Sequence, residues 1–86
     1  MIWDFVKTTE YFDYTRKRPD RELIREEWLY QAMFDQRWEM IQPDGRIRRW
    51  TWIEEEQKFL RAIFLEDGIT LHNAFFDRRF KPENRS

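Results

Sequence analysis

The sequence predicts an α+β domain in which a short N-terminal strand and two helices precede an antiparallel β-meander, with the helices packed on one face of the sheet. Three observations lead there. Two Asp-Gly dipeptides, Asp44-Gly45 and Asp67-Gly68, each sit between runs rich in β-branched and aromatic residues, a strong short-range hairpin signal. Upstream, apolar residues recur at helical spacing over residues 20–34, the mark of one buried helix face. The chain has 86 residues, 41% hydrophobic and 19% aromatic, enough for one domain with one modest core. Residues 1–86 are therefore read as a single domain whose polar end frays from about residue 81.

Residues 2–7, IWDFVK, are rich in strand formers and predict a short strand at an edge of the sheet or beside a central strand. Thr8 or Thr9 then caps a helix reaching about Arg18, with Tyr11, Phe12 and Thr15 on its inner side. Pro19-Asp20 ends that helix and opens the next. Over residues 20–34, Leu23, Ile24, Trp28, Leu29, Ala32 and Met33 form one wide apolar stripe, and burying it against the sheet gives two layers.

For the meander, two-residue turns at Asp44-Gly45, Glu55-Glu56 and Asp67-Gly68 sort the side chains by period-2 alternation. The face turned to the helices collects Trp38, Met40, Ile47, Thr51, Ile53, Leu60, Ala62, Phe64, Ile69, Leu71 and Phe75, with Arg49 and Asn73 out of character. The opposite face collects Arg37, Glu39, Ile41, Arg46, Arg48, Trp50, Trp52, Phe59, Arg61, Ile63, Leu65, Thr70, His72, Ala74 and Phe76. In that register Trp50 lies opposite Arg61, Arg48 opposite Ile63, and Ile63 opposite His72. Arg48, Arg61 and the single histidine thus surround one spot. The register is least secure at the acidic turn, where one extra residue would send Arg46, Arg48 and Trp50 to the other side.

Composition narrows the function classes. There is no cysteine, so no disulfide and no thiolate site, in keeping with a reducing cytoplasm. No apolar run approaches the ~18 to 20 residues of a membrane span, and MIWDFVK lacks the pattern of a signal peptide; the expectation is a cytoplasmic protein without a membrane partner. One histidine and no cysteine leave only carboxylates for a metal, so no metal site is expected. No Gly-rich phosphate loop, nucleophile elbow or nucleotide motif is present, so no cofactor is expected either. A net charge of -1 gives no global attraction to nucleic acid; only the local basic face does.

The segments YFDYTRKRPDRELIREEW, QPDGRIRRW, FLRAIFLEDG and HNAFFDRRFK resemble a family of small bacterial proteins of unknown function, and the resemblance spans residues 11–81. More distantly, the order of elements is similar to the BrnT and RelE/ParE toxin superfamily. That similarity implies helices on one face of an antiparallel sheet and, in the ribonucleases of the group, RNA cleavage on the exposed face. It also implies an antitoxin protein as partner. Where such toxins often carry a histidine opening the first helix, this chain has Thr9, Glu10 and Tyr11.

Cleaving RNA by attack of the 2′-hydroxyl needs a base, an acid and cations on the phosphate. His72 with Arg48 and Arg61 supplies one proton shuttle and two cations, as a metal-independent endoribonuclease would use them. Glu39, Tyr14 or Asp77 are candidates for the second acid or base. Arg37, Arg46, Trp50, Asp77 and Arg78 extend the face for RNA or a partner, and Trp50, Trp52, Phe59 and Phe76 offer surfaces for stacked bases. The rival reading is a non-enzymatic interaction module. Aromatic residues and arginine also dominate interface cores, so the same face suits a partner protein or a homodimer, while ordinary surface ion pairs would explain the arginines without any ligand.

Overall fold

The computed structural model describes residues 6–82. Its elements are α1 (Glu10–Thr15), α2 (Pro19–Glu22), α3 (Glu26–Phe34), β1 (Trp38–Ile41), β2 (Ile47–Ile53), β3 (Lys58–Phe64) and β4 (Leu71–Phe76). The strands form one antiparallel sheet in the order β1-β2-β3-β4. This is the α+β class with a meander. The expected strand over residues 2–7 falls largely outside the described residues; within them, Thr8 bridges Leu71 in parallel and Leu71 N–H donates to the Lys7 carbonyl at 2.8 Å. Residues 7–9 therefore run along the β4 edge.

Thr9 caps α1 as expected, its Oγ1 accepting from Phe12 N–H. The second helix is not continuous. Leu23 closes α2, and Arg25 is extended (φ -75°, ψ 148°) before α3 begins. Glu26 and Glu27 occupy the first turn of α3, where carboxylates favour the positive end of the helix dipole. Leu23 consequently leaves the apolar stripe and is 74% exposed, while Ile24, Trp28, Leu29 and Ala32 stay buried. With Phe12 they cover Ile53, Leu60, Ala62, Phe64, Leu71 and Ala74 of the sheet.

The β2–β3 register agrees with the reading: Trp50 faces Arg61 and Arg48 faces Ile63. The acidic connection keeps Ile53 opposite Lys58, with Gln57 absorbing a positive φ of 55°. The slip occurs instead at an Asp-Gly turn. Gly45 N–H donates to the Gln42 carbonyl at 2.9 Å and Gln42 N–H to the Arg46 carbonyl at 2.7 Å, while Gly45, not Asp44, takes positive φ (92°). That is a type I turn with a glycine bulge, one residue longer than a type I′ turn. One residue inverts β1: Trp38 pairs Trp50 and Met40 pairs Arg48 on the outer face, while Glu39 and Ile41 turn to the helix side beside Arg49 and Ile47.

A second irregularity lies in β4. Phe64 pairs Leu71, but Ile63 pairs Asn73, so His72 is the extra residue of a bulge. Beyond it the expected faces exchange: Ala74 and Phe76 join the core, while Phe75 lies opposite Arg61.

Candidate functional site

The face of the sheet away from the helices has an aromatic half and a basic half. The aromatic half is closed by the chain's own end. Phe80 stacks on Trp50 with ring centres 4.4 Å apart and planes 8° from parallel. Phe59 meets Trp38, Trp52 and Phe80 edge-on, each at 5.0 Å. Trp50 is only 6% exposed, and Pro82, the last described residue, is buried. Beside the stack, a groove of about 530 Å³ is lined by Arg37, Trp38, Met40, Trp50, Phe80 and Lys81, among others.

Asp77 fixes this arrangement. Its Oδ2 accepts from the Trp50 indole at 3.0 Å, its Oδ1 accepts from Arg79 N–H at 3.0 Å, and its own N–H donates to the Phe59 carbonyl at 2.9 Å. Burial alone would raise its pKa. The Trp50 and Arg79 hydrogen bonds and the Arg61 charge outweigh it, holding the carboxyl below the ordinary range. Arg61 Nε lies 3.5 Å from Asp77 Oδ2 in an ion pair that lacks hydrogen-bond geometry, and the guanidinium rests 4.4 Å from the Phe75 ring centre.

In the basic half, Arg48 sits on the same face as Arg61, one strand and one pair along. Burial lowers the pKa of Arg61, the Asp77 charge raises it, and the Arg48 charge lowers it again, so Asp77 offsets part of what burial and the neighbouring guanidinium impose. Arg48 Nε donates to Gln42 Oε1 at 2.6 Å, and among the described residues no carboxylate pairs with it. Arg46 pairs with Asp44 at 3.7 Å on the neighbouring turn.

His72 is held apart from this pair. Its Nδ1 lies 3.0 Å from Thr9 Oγ1, the hydroxyl that also caps α1, and Tyr11 stacks on its ring at 5.0 Å. No hydrogen bond joins it to Arg48 or Arg61 among the described residues, and it does not face Ile63 as the sequence register required. In either neutral tautomer Thr9 engages Nδ1, leaving Nε2 for a ligand. Burial and the Arg46 charge both push the His72 pKa below its ordinary value, so the ring is neutral near pH 7.

No family model, curated protein or solved structure matches the chain. Roles rest on geometry alone. Trp50, Arg48, Arg61 and Asp77 converge as one group. Arg37 is tied to Asp35 by two side-chain hydrogen bonds, and Arg78 belongs to another groove, with Arg21, Lys58 and Phe75. Of the expected second acids or bases, Glu39 is taken by Arg49 on the helix side, and Asp77 is the Arg61 counter-ion. Phe76 is turned to the helix side, edge-on to Trp28 at 5.9 Å, with Lys58 over its ring, away from the Trp50 stack. Thr9 and Tyr11 as His72 partners escaped the sequence reading. The only signal was Thr9 itself, read as a cap and nothing more. No cluster of metal-ligating side chains occurs among the described residues, and no helix there is long and apolar enough to cross a membrane.

Proposed function

We propose that the outer sheet face binds the phosphate backbone of single-stranded RNA, as in a toxin-like protein of the RelE/BrnT type, with RNA cleavage assisted by His72. The observation that carries this reading is the Arg48–Arg61 pair, two neighbouring cations of which only Arg61 has a carboxylate partner, Asp77. Asp77 offsets the Arg61 charge, whereas Arg48 has no acidic partner among the described residues, so a further anion relieves the charge left at this corner. A phosphate bridging the two guanidiniums does so, and arginine's planar fork suits it. His72, neutral and offering Nε2, takes the 2′-hydroxyl proton and returns it to the leaving oxygen, while Arg48 and Arg61, set apart from it, hold the RNA backbone.

The test is anisotropy with a short labelled oligoribonucleotide at several salt concentrations. Arg48→Ala should weaken binding roughly tenfold or more, the worth of one charge-assisted contact, and should flatten the salt dependence by about one unit of slope. Wild-type protein that binds no RNA at low salt contradicts the proposal.

A second reading has its own support in the β1 edge. Gln42 N–H donates to Arg46, so by the antiparallel alternation Glu39 and Ile41 direct their backbone groups away from β2. Met40 and Ile41 on that strand are 51% and 67% exposed. Such an edge accepts a strand from a partner, including an antitoxin or a second copy with Met40 at the two-fold. Sedimentation of wild type against Met40→Lys distinguishes a homodimer from a monomer.

A further inference from the structure

We propose that Trp50, Arg61 and Arg48 form a subsite for one nucleotide of single-stranded RNA, and that the chain's own end occupies it, with Phe80 in place of the base and Asp77 in place of the phosphate. The inference rests on the RNA reading above and adds to it where a base stacks and what must leave first.

The stack comes first. Phe80 lies parallel on Trp50 at 4.4 Å and 8°, whereas the other aromatic contacts on this face are edge-on, at 67° to 88°. Ring quadrupoles favour offset-stacked and edge-on pairs alike in a core. A parallel ring over indole is the geometry of a nucleobase on its platform. The carboxylate comes second. Asp77 Oδ2 receives the Trp50 indole N–H and lies beside Arg61, an anion between a donor and a cation, as a phosphate oxygen would be.

Residues 77–82 are held through Asp77 and through Phe80 against Trp38, Trp50 and Phe59. They form no helix or strand. Arg61 meets Asp77 without a hydrogen bond, its Nε being buried and unpartnered. Arg78, Arg79 and Lys81 are all exposed, so displacing the segment uncovers few polar groups. Next to Phe80 the groove of about 530 Å³ beside Trp38 and Lys81 gives a neighbouring nucleotide a place on the same track. A purely covering role for Phe80 accounts for the burial of Trp50 and Phe59. Asp77, set between Arg61 and an indole N–H, both anchors the segment and stands where a phosphate oxygen would bind.

The experiment compares wild type, Phe80→Ala, Phe80→Leu, Asp77→Asn and Arg48→Ala for binding a short labelled oligouridylate, with thermal melting of each. Removing a competing occupant raises the binding-competent fraction, so Phe80→Ala and Phe80→Leu should bind about three- to tenfold tighter at unchanged net charge. In wild type, saturating oligouridylate should speed tryptic cleavage after Arg79, because the end segment is released. Tighter binding in Asp77→Asn alone would be a charge effect and would overturn the subsite. So would Arg48-dependent binding that is unchanged in Phe80→Leu, with Arg79 no more accessible. If Phe80→Ala fails to fold, Phe80→Leu and the wild-type cleavage decide. Absence of RNA binding in every protein would defeat the RNA reading itself, and the subsite with it.

Discussion

Glu39 and Arg49 meet at 2.7 Å on the helix-covered face of the sheet, a pair that exists only because the Gly45 bulge turned β1 over. Arg49 is 7% exposed at its side chain and Glu39 32%. The guanidinium also donates to the carbonyls of Met33 and Gly68, both at 2.9 Å, and lies over the Phe64 ring. Removing Glu39 leaves that cation buried without its counter-ion. Glu39→Ala should therefore cost about 2–3 kcal/mol, below the usual figure for a fully buried pair because Glu39 is partly wet. Glu39→Gln, which keeps a hydrogen bond, should cost about half as much. Urea titration checks this, and a wild-type midpoint for Glu39→Ala would mean that β1 faces the other way.

The turn geometry makes a separate prediction. Gly45 and Gly68 sit at φ 92° and 73°, so a β-branched residue at either should cost about 1–2 kcal/mol. At Gly45 an added Cβ meets only the flexible Glu66 side chain, so the backbone sets the cost there. Gly68 donates its N–H to the Leu65 carbonyl, which makes Glu66 the second residue of the turn. Proline is preset for that position. Glu66→Pro should thus be neutral or stabilising by up to about 1 kcal/mol; a type I′ turn would place Glu66 in the strand and make the same change damaging.

These residues show what was legible. The β2–β3 register and the core around Leu60 and Phe64 follow from alternation alone, because their connection adds an even number of residues and leaves the faces as expected. Asp44-Gly45 misled because one dipeptide serves both a type I′ turn and a type I turn with a glycine bulge, and only the longer form inverts β1. Nothing in the LHNAFF run marks His72 as a bulge, since no glycine signals it. The break before Glu26 had a trace in the two acidic residues that open α3, but they also fit the wet face of an unbroken helix. Phe80 reads as one aromatic residue in a polar end, and its partner Trp50 is 30 positions away.

In the core, Leu60 is fully buried and Trp28 nearly so, at 4% exposure. Leu60→Ala and Trp28→Ala should each cost about 2–5 kcal/mol through the cavity left between α3 and the sheet. The Trp28 indole N–H has no hydrogen-bond partner, so Trp28→Phe loses area but no bond. Its cost should stay near 1 kcal/mol. Thermal or urea melts measure all three.

Stability should also depend on pH through His72. Burial, then the Arg46 charge, hold its folded pKa below the ordinary 6.5. The unfolded chain therefore binds the proton first as pH falls, and stability present above about pH 6.5 declines below it. Asp35, Asp67 and Asp77, all held below 3.8, act the same way at lower pH, under 3.8. His72→Asn should abolish the decline that sets in below about pH 6.5 while leaving the acid limb under 3.8 intact. An unchanged profile would show that His72 keeps its ordinary pKa in the fold.

Function is tested where charge and fold separate, and Arg48 is the place. It is half-buried, its Nε bound to the neutral Gln42, so Arg48→Ala should melt within a few degrees of wild type, as expected for a change of under about 0.5 kcal/mol. Arg61→Ala frees Asp77 as well, so its effect mixes the phosphate contact with the hold on the chain's end. If the face is an RNA site, Arg48→Ala and His72→Ala should both lose growth inhibition on expression. Their RNA behaviour should differ: Arg48→Ala weakens binding, whereas His72→Ala binds normally and fails to cleave, because it removes a proton carrier and no cation. Because His72 stands apart from Arg61, the double variant Arg61→Ala with His72→Ala should lose about the product of the two single losses. Retained cleavage in His72→Ala would exclude the histidine and leave an arginine-centred site. Folded Arg48→Ala with undiminished toxicity and RNA binding would instead move the activity off this face.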